Sequence, residues 1–157
     1  MAYEGPVESA VHRFKYQGWR KLAAPLATLL AERVVVEGLP ASMVVAVPLH
    51  PQRERTRGYN QAELLAEEVR RRTGLRAPPG HLVRTRHTVP QVGNDRLHRW
   101  HNVEGAFEWR GRPLNGLSVM VVDDVATTGA TLEACALALK QGGSGPVFGV
   151  TVARVRI

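Results

Sequence analysis

The sequence contains a single cysteine, Cys135, among its 157 residues. One cysteine excludes an internal disulfide framework and a cysteine-rich zinc site. Aromatic residues make up only 6% of the chain, and no apolar run approaches the roughly 20 residues that a membrane-spanning helix needs. The N-terminus has early acids and no apolar core, unlike a secretory signal peptide. These absences predict a cytoplasmic protein without membrane insertion and without zinc.

Acidic residues are also scarce relative to basic ones. Lysine and arginine number 21 against 14 aspartates and glutamates, which gives a formal net charge of +7. Only three of these bases are lysines, and arginine is the residue that binds phosphate through a bidentate fork. The excess predicts anionic partners such as phosphate compounds or nucleic acid. The alternative is that the arginines are solvated surface residues of a protein from a GC-rich genome.

Apolar runs alternate with helical patterns along the chain. Three runs have the length and continuous apolar character of parallel strands buried on both faces. Helical spacing predicts a helical hairpin at the N-terminus, a helix capped by Asn60 and a helix over Leu132–Lys140. This alternation predicts an α/β fold with a mostly parallel central sheet flanked by helices, in one domain over residues 1–157. The predicted strands are residues 42–48, 117–122 and 147–152, with a shorter one at Leu82–Val83.

The second apolar run ends in two acids and a turn rich in threonine and glycine. In a parallel sheet, ligands bind beyond the carboxyl ends of the strands. The carboxylates of Asp123 and Asp124 suit the vicinal hydroxyls of a ribose, and the following helix N-terminus suits a phosphate. This spacing predicts a ribose 5-phosphate site, against the alternative of an unrelated strand–turn–helix. The predicted phosphate-binding residues are Ala126, Thr127, Thr128, Gly129, Ala130 and Thr131.

The first apolar run is followed by an arginine-rich segment. We expect a loop at this strand end, in which guanidinium groups and backbone amides bind a pyrophosphate. His50, at the end of the strand, is either part of that site or an ordinary turn residue. The residues concerned are His50, Arg53, Arg55 and Arg57.

Residues 119–131 resemble the phosphoribosyl-pyrophosphate signature of type I phosphoribosyltransferases, and residues 45–63 resemble the ComF family of competence-associated proteins with that fold. Three further stretches resemble the ComF entry segment, mobile loop and following strand: Phe14–Gly18, Thr88–Gln91 with Arg96, and Asn102–Phe107. The resemblance implies a type I phosphoribosyltransferase fold with a small helical hood over residues 1–40. It also implies a core over residues 41–157 and a mobile loop at about residues 84–104.

The resemblance further implies that Asp123 and Asp124 hold the ribose hydroxyls and that residues 126–131 hold the 5-phosphate. Magnesium would be bound through the pyrophosphate and the ribose, with no protein-only metal cage. Many ComF proteins carry a zinc ribbon before the entry segment. This sequence lacks one, so we expect either a natural member without a ribbon or a truncated sequence. The mobile-loop residues implied to contact the ligand are Arg84, Arg86, Gln91 and Arg96.

The association of the ComF family with natural transformation implies a role in handling internalised single-stranded DNA, with competence-machinery proteins as partners. Two alternatives stay open. One is an active phosphoribosyltransferase of nucleotide metabolism whose acceptor the sequence does not identify, and the other is a non-catalytic ligand-binding regulator. Any of the three is compatible with an oligomer. The candidate DNA contacts are Arg70, Arg71, Arg72, Arg99 and Trp100.

Overall fold

The computed structural model describes residues 1–86 and 103–155. The helices are α1 (Gly5–Tyr16), α2 (Ala23–Glu37), α3 (Pro51–Arg57), α4 (Gln61–Thr73) and α5 (Ala130–Gln141), with a 3₁₀ turn over Arg20–Leu22. The strands are β1 (Met43–Ala46), β2 (Gly80–Arg84), β3 (Phe107–Gly111), β4 (Val119–Ala126) and β5 (Val147–Arg154). The predicted α/β fold with helices flanking a parallel sheet is confirmed.

Three of these strands form a parallel sheet in the order β1-β4-β5. The central strand β4 pairs Val119 with Met43 on one side and with Val147 on the other. Residues Val119–Val122 are fully buried, as expected for a strand covered on both faces. Because the strands are parallel, the segments that follow β1 and β4 emerge at the same edge of the sheet. We call this the carboxyl edge.

The strands β2 and β3 form a separate antiparallel pair, in which Arg84 lies opposite Phe107. The pairing continues past the strand ends, where the N–H of Thr85 donates to the carbonyl of Ala106 at 2.9 Å. This ladder is the stem of the predicted mobile loop. The loop itself lies mostly in residues 87–102, outside the described residues.

The helix α1 is anchored in the core through its C-terminal half. Val11 and Phe14 are fully buried, and the ring of Phe14 packs 6.0 Å from the ring of Tyr59. The Tyr59 hydroxyl, itself buried, donates a hydrogen bond to the carbonyl of Phe14. Tyr59 therefore ties the end of α1 to the segment between α3 and α4. No helix in the described part of the chain is long and apolar enough to cross a membrane.

The arginine-rich segment after β1 is the helix α3, so the prediction of a loop there is wrong. Pro51 occupies the first helical position, where a missing N–H costs nothing, and His50 caps the helix with its side chain. Gly58 ends the helix with φ of 80°, a left-handed conformation that favours glycine. A proline just inside the start and a glycine just past the end are helix signals that the arginines obscured.

Two strand boundaries and the exposure of one helix residue also differ from what the sequence pattern indicates. The strand β4 runs on through both acids to Ala126, beyond the predicted end at Val122, because its pairing with β5 continues. The strand after the loop begins at Phe107 rather than at residue 102. Leu29, predicted on the buried face of α2, is 44% exposed, whereas Leu26 is buried.

We expect Tyr59→Phe to lower the free energy of unfolding by about 1–3 kcal/mol, because the buried carbonyl of Phe14 loses its hydrogen bond. Urea denaturation measures the change. Tyr16→Phe is the matched control, since the Tyr16 side chain is 67% exposed, and its effect should stay within about 0.5 kcal/mol. Equal effects of the two substitutions would show that the Tyr59 hydroxyl does not anchor α1.

Candidate functional site

The two acids of β4 lie at the carboxyl edge and differ in their surroundings. Successive side chains of a strand face different sides, yet the carboxyl groups of Asp123 and Asp124 still interact with each other at the end of β4. Asp124 is buried, with 2% of its side chain exposed, whereas Asp123 is half-buried. Each accepts a hydrogen bond through Oδ1 from the next backbone N–H, at 2.8 Å for Asp123 and 2.7 Å for Asp124.

Asp124 forms an ion pair with Lys15, at the C-terminal end of α1. The Lys15 Nζ lies 3.0 Å from Asp124 Oδ1, and the lysine side chain is only 21% exposed. Burial by itself lowers the pKa of Lys15, but the Asp124 carboxylate outweighs it and the net pKa is raised. The lysine is therefore held as a cation. The other carboxylate oxygen, Asp124 Oδ2, is buried and has no hydrogen-bond partner among the described residues.

Asp123 lies within electrostatic reach of Arg84, at the end of β2, and of Cys135 in α5. Burial, and then the charge of the neighbouring Asp124, raise the pKa of Asp123 well above the usual carboxyl value. Cys135 is fully buried, and burial raises the pKa of its thiol. Asp123 is thus a carboxylate whose ionised form the fold disfavours.

The turn after β4, where the sequence predicts a phosphate, leads directly into the N-terminus of α5. Gly129 adopts φ of 88°, a conformation that favours glycine, and it precedes the first residue of α5. Thr128 is buried and its hydroxyl accepts from the N–H of Ala130 at 3.4 Å, while Thr127 is exposed. The first N–H groups of a helix have no acceptor within it, and the helix dipole favours an anion there. Thr131 lies in that first turn.

The helix α3 borders a cavity of about 500 Å³. Arg53 and Arg57 lie one turn apart on the same face of α3 and both line it, whereas the exposed Arg55 does not. His50 caps α3, its Nδ1 accepting from the N–H of Gln52 at 3.3 Å, so its predicted contact with pyrophosphate stays a prediction. The residues that line the cavity are Lys15, Tyr16, Gly18, Gln52, Arg53, Thr56 and Arg57.

The stem of the predicted loop ends beside the same edge. Burial and the neighbouring charge of Arg53 lower the pKa of Arg84, which lies over the ring of Phe107 at 5.3 Å. Arg86 is exposed and donates to the carbonyl of Glu104. The remaining predicted contacts in this region lie outside the described residues: Gln91, Arg96, Arg99 and Trp100.

The three arginines at the end of α4 are paired with glutamates of the same helix. Arg70 lies 3.0 Å from Glu63, and Arg71 and Arg72 lie 2.5 and 2.9 Å from Glu68. Their charges are partly neutralised within the helix. The prediction that they bind DNA remains untested, and these pairs make them weaker candidates than arginines without an acidic neighbour.

Two carboxylates with one orphaned oxygen are compatible with a magnesium ion that a ligand brings with it. Within residues 1–86 and 103–155, no group of three or more histidine, cysteine, aspartate or glutamate side chains could hold a metal ion. Magnesium keeps several waters and favours phosphate oxygens, so it does not require such a cage. The buried Oδ2 of Asp124 offers an acceptor for a hydroxyl or a metal-bound water at this edge.

Comparisons with known proteins identify relatives that match most of the chain. The DNA utilization protein YhgH of Salmonella typhi is 33% identical over 150 residues, which are 92% of this chain and 66% of that protein. Competence protein F of Haemophilus influenzae is 32% identical over 149 residues, which are 90% of this chain and 65% of that protein. The chain thus spans slightly less than two thirds of these relatives.

A crystal structure of orotate phosphoribosyltransferase from Aeropyrum pernix shares the fold. It matches over 88% of this chain and 74% of its own, with a TM-score of 0.52 and 19% identity. This likeness is evidence of the fold alone. No protein-family model matches the chain.

We expect Asp123→Asn to raise the free energy of unfolding above about pH 4, the usual range of a carboxyl pKa. The folded wild type holds a proton on Asp123 that the unfolded chain releases, so wild-type stability falls as pH rises towards the raised pKa. An amide carries no such penalty. Urea denaturation at pH 4 and pH 8 should show that the variant has a higher free energy of unfolding than the wild type at pH 8 only. We expect a difference of about 1 kcal/mol or more, a value reduced because solvent screens a half-buried group.

Asp124→Asn is the matched comparison, and it should lower the free energy of unfolding instead of raising it. It leaves Lys15 without its partner, and breaking a largely buried ion pair typically costs about 3 kcal/mol. If both substitutions changed stability in the same direction at pH 8, the two acids would not differ as described.

Proposed function

The chain belongs to the ComF family of competence and DNA-utilization proteins, and we propose that it binds phosphoribosyl pyrophosphate with magnesium at its carboxyl edge. The observation that carries the proposal is that β4 delivers both acids and the turn 126–131 to the edge where α3 begins. Acceptors for a diol, a helix N-terminus for a phosphate and a cationic cavity for a second phosphate group are the three parts that such a ligand requires.

Each part has an assigned task in this proposal. Asp123 and Asp124 accept hydrogen bonds from the ribose hydroxyls, and the turn at Gly129 holds the 5-phosphate with backbone N–H groups. Arg53 and Arg57 bind the pyrophosphate from one face of α3. When bound with the ligand, magnesium supplies further positive charge to the pyrophosphate oxygens. The proposal is one of binding, and it names no acceptor for a transfer reaction.

A second proposed activity is the binding of single-stranded DNA. The relatives' names, DNA utilization protein and competence protein, point to it. A surface at the end of α1 favours it: the Arg13 guanidinium lies 4.9 Å from the ring centroid of Trp19, and that of Arg57 lies 5.3 Å from Tyr16. Tyr16 is 67% exposed and Trp19 48% exposed. Exposed aromatic rings can stack on the bases of a single strand, and neighbouring arginines can bind its phosphates.

For the phosphoribosyl site, we expect calorimetric titration to show magnesium-dependent binding of phosphoribosyl pyrophosphate to the wild type. Asp123→Asn should weaken it about 10-fold or more, because ribose hydroxyls that donate to Asp123 favour its ionised form on binding, and an amide cannot ionise. This variant is expected to be more stable than the wild type at neutral pH, so unfolding would not explain the loss. Glu67→Gln, an exposed acid on α4, should leave the affinity unchanged. A wild type that binds no phosphoribosyl pyrophosphate with magnesium would overturn the proposal.

For DNA, we expect fluorescence anisotropy with a labelled oligothymidine to give a log–log salt slope near −3.5, for about five phosphates contacted on a single strand. Trp19→Ala and Tyr16→Ala should each weaken binding by about 1–3 kcal/mol, the range for one stacked base. Arg71→Gln, at an arginine already paired with Glu68, should have little effect. Affinity that does not change with salt, or that survives both aromatic substitutions, would refute this surface.

A further inference from the structure

Lys15 contacts an acid of β4 and also lines the cavity beside α3. We propose that Lys15 is a pyrophosphate-binding residue, which Asp124 holds in position until the ligand arrives. The inference rests on the proposed function, since it assigns a further residue to that same site. It makes α1 a part of the ligand site and not only a cover for the core.

The first step of the argument is the position of Lys15. Phe14 is fully buried and its carbonyl accepts from Tyr59, so the backbone beside Lys15 is fixed. The lysine side chain is four-fifths buried yet lines the same cavity as Arg53 and Arg57. An ammonium in this place is close to any anion that the two arginines bind.

The second step concerns the charges around that ammonium. On one side are the carboxylates of Asp124, at 3.0 Å, and of Asp123, which also acts on Lys15. Arg53 and Arg57 of α3 line the same cavity, and among the described residues Tyr3 and Tyr16 also interact with the lysine. Three cationic side chains border one cavity, and the oxygens of a pyrophosphate can accept hydrogen bonds from all three.

The third step is the half-satisfied carboxylate. Lys15 contacts Oδ1 of Asp124, and Oδ2 of the same group is buried without a partner in the described part of the chain. A buried polar atom without a partner is costly and calls for an explanation, and a ligand group that donates to it is one. A ribose hydroxyl can donate to Oδ2 while Lys15 turns towards the pyrophosphate. Asp124 would then accept from the ribose hydroxyl through Oδ2 and still from the N–H of Val125 through Oδ1.

The test compares three ligands by calorimetry with magnesium: phosphoribosyl pyrophosphate, inorganic pyrophosphate and ribose 5-phosphate. Lys15→Gln should weaken pyrophosphate and phosphoribosyl pyrophosphate by about 10- to 100-fold, the loss typical of a hydrogen bond to a charged group, and change ribose 5-phosphate by no more than about 2-fold. Lys15→Arg keeps the cation and should restore most of the pyrophosphate affinity. Lys21→Gln, an exposed lysine in the 3₁₀ turn, removes the same charge away from the cavity.

The outcomes separate the inference from the function on which it rests. Equal weakening of ribose 5-phosphate and pyrophosphate would mean that Lys15 only positions Asp124, and would overturn the inference. The same holds if Lys15→Gln and Lys21→Gln weaken pyrophosphate equally, since the effect would then be one of net charge. Pyrophosphate binding that depends on Lys15, without any binding of ribose 5-phosphate or phosphoribosyl pyrophosphate, would support the inference and refute the proposed function. A wild type that binds none of the three refutes both. Urea denaturation confirms that each variant is folded. If Lys15→Gln does not fold, the affinities of Lys15→Arg for the three ligands decide the outcome.

Discussion

The ion pair between Lys15 and Asp124 is the interaction on which the arrangement of this protein depends. It joins a helix near the start of the chain to the central strand of the sheet, at the edge where the candidate ligand groups meet. Burying two charges carries a desolvation penalty that their attraction offsets only partly, so an apolar pair would hold α1 in place at least as well. The pair is better explained by what its members do at the carboxyl edge than by the stability that they contribute.

Other unfavourable features are concentrated at the same edge. The fold disfavours the ionised form of Asp123, leaves Oδ2 of Asp124 without a partner and brings Arg84 close to Arg53. A few residues away, Val119–Val122 are completely buried, and α4 begins at a side-chain cap. Several local rules of stability that the buried strand obeys are violated together at this edge, which is the pattern expected of a ligand site that the rest of the structure supports.

The sequence was sufficient for features that depend on neighbouring residues. The cap at Asn60, the strand through Val122 and the turn at Gly129 all follow from local patterns, and each is present. Long-range contacts were not predictable in this way. Nothing in the periodicity indicates that Lys15 meets Asp124, because the two are brought together only by the packing of α1. A weak signal existed: Lys15 is one of three lysines in an arginine-rich chain, beside a large apolar residue.

The alternation of side chains along β4 gives the two acids different neighbours. Asp124 faces the N-terminal helices through Lys15, and Asp123 lies near the stem of the predicted loop through Arg84. A ligand that engages both carboxylates therefore contacts groups held by two separate parts of the chain. Ligand binding would favour the arrangement in which both parts lie against the sheet, because only that arrangement offers every contact. Two adjacent residues of one strand thus place the candidate ligand between the N-terminal helices and the loop stem.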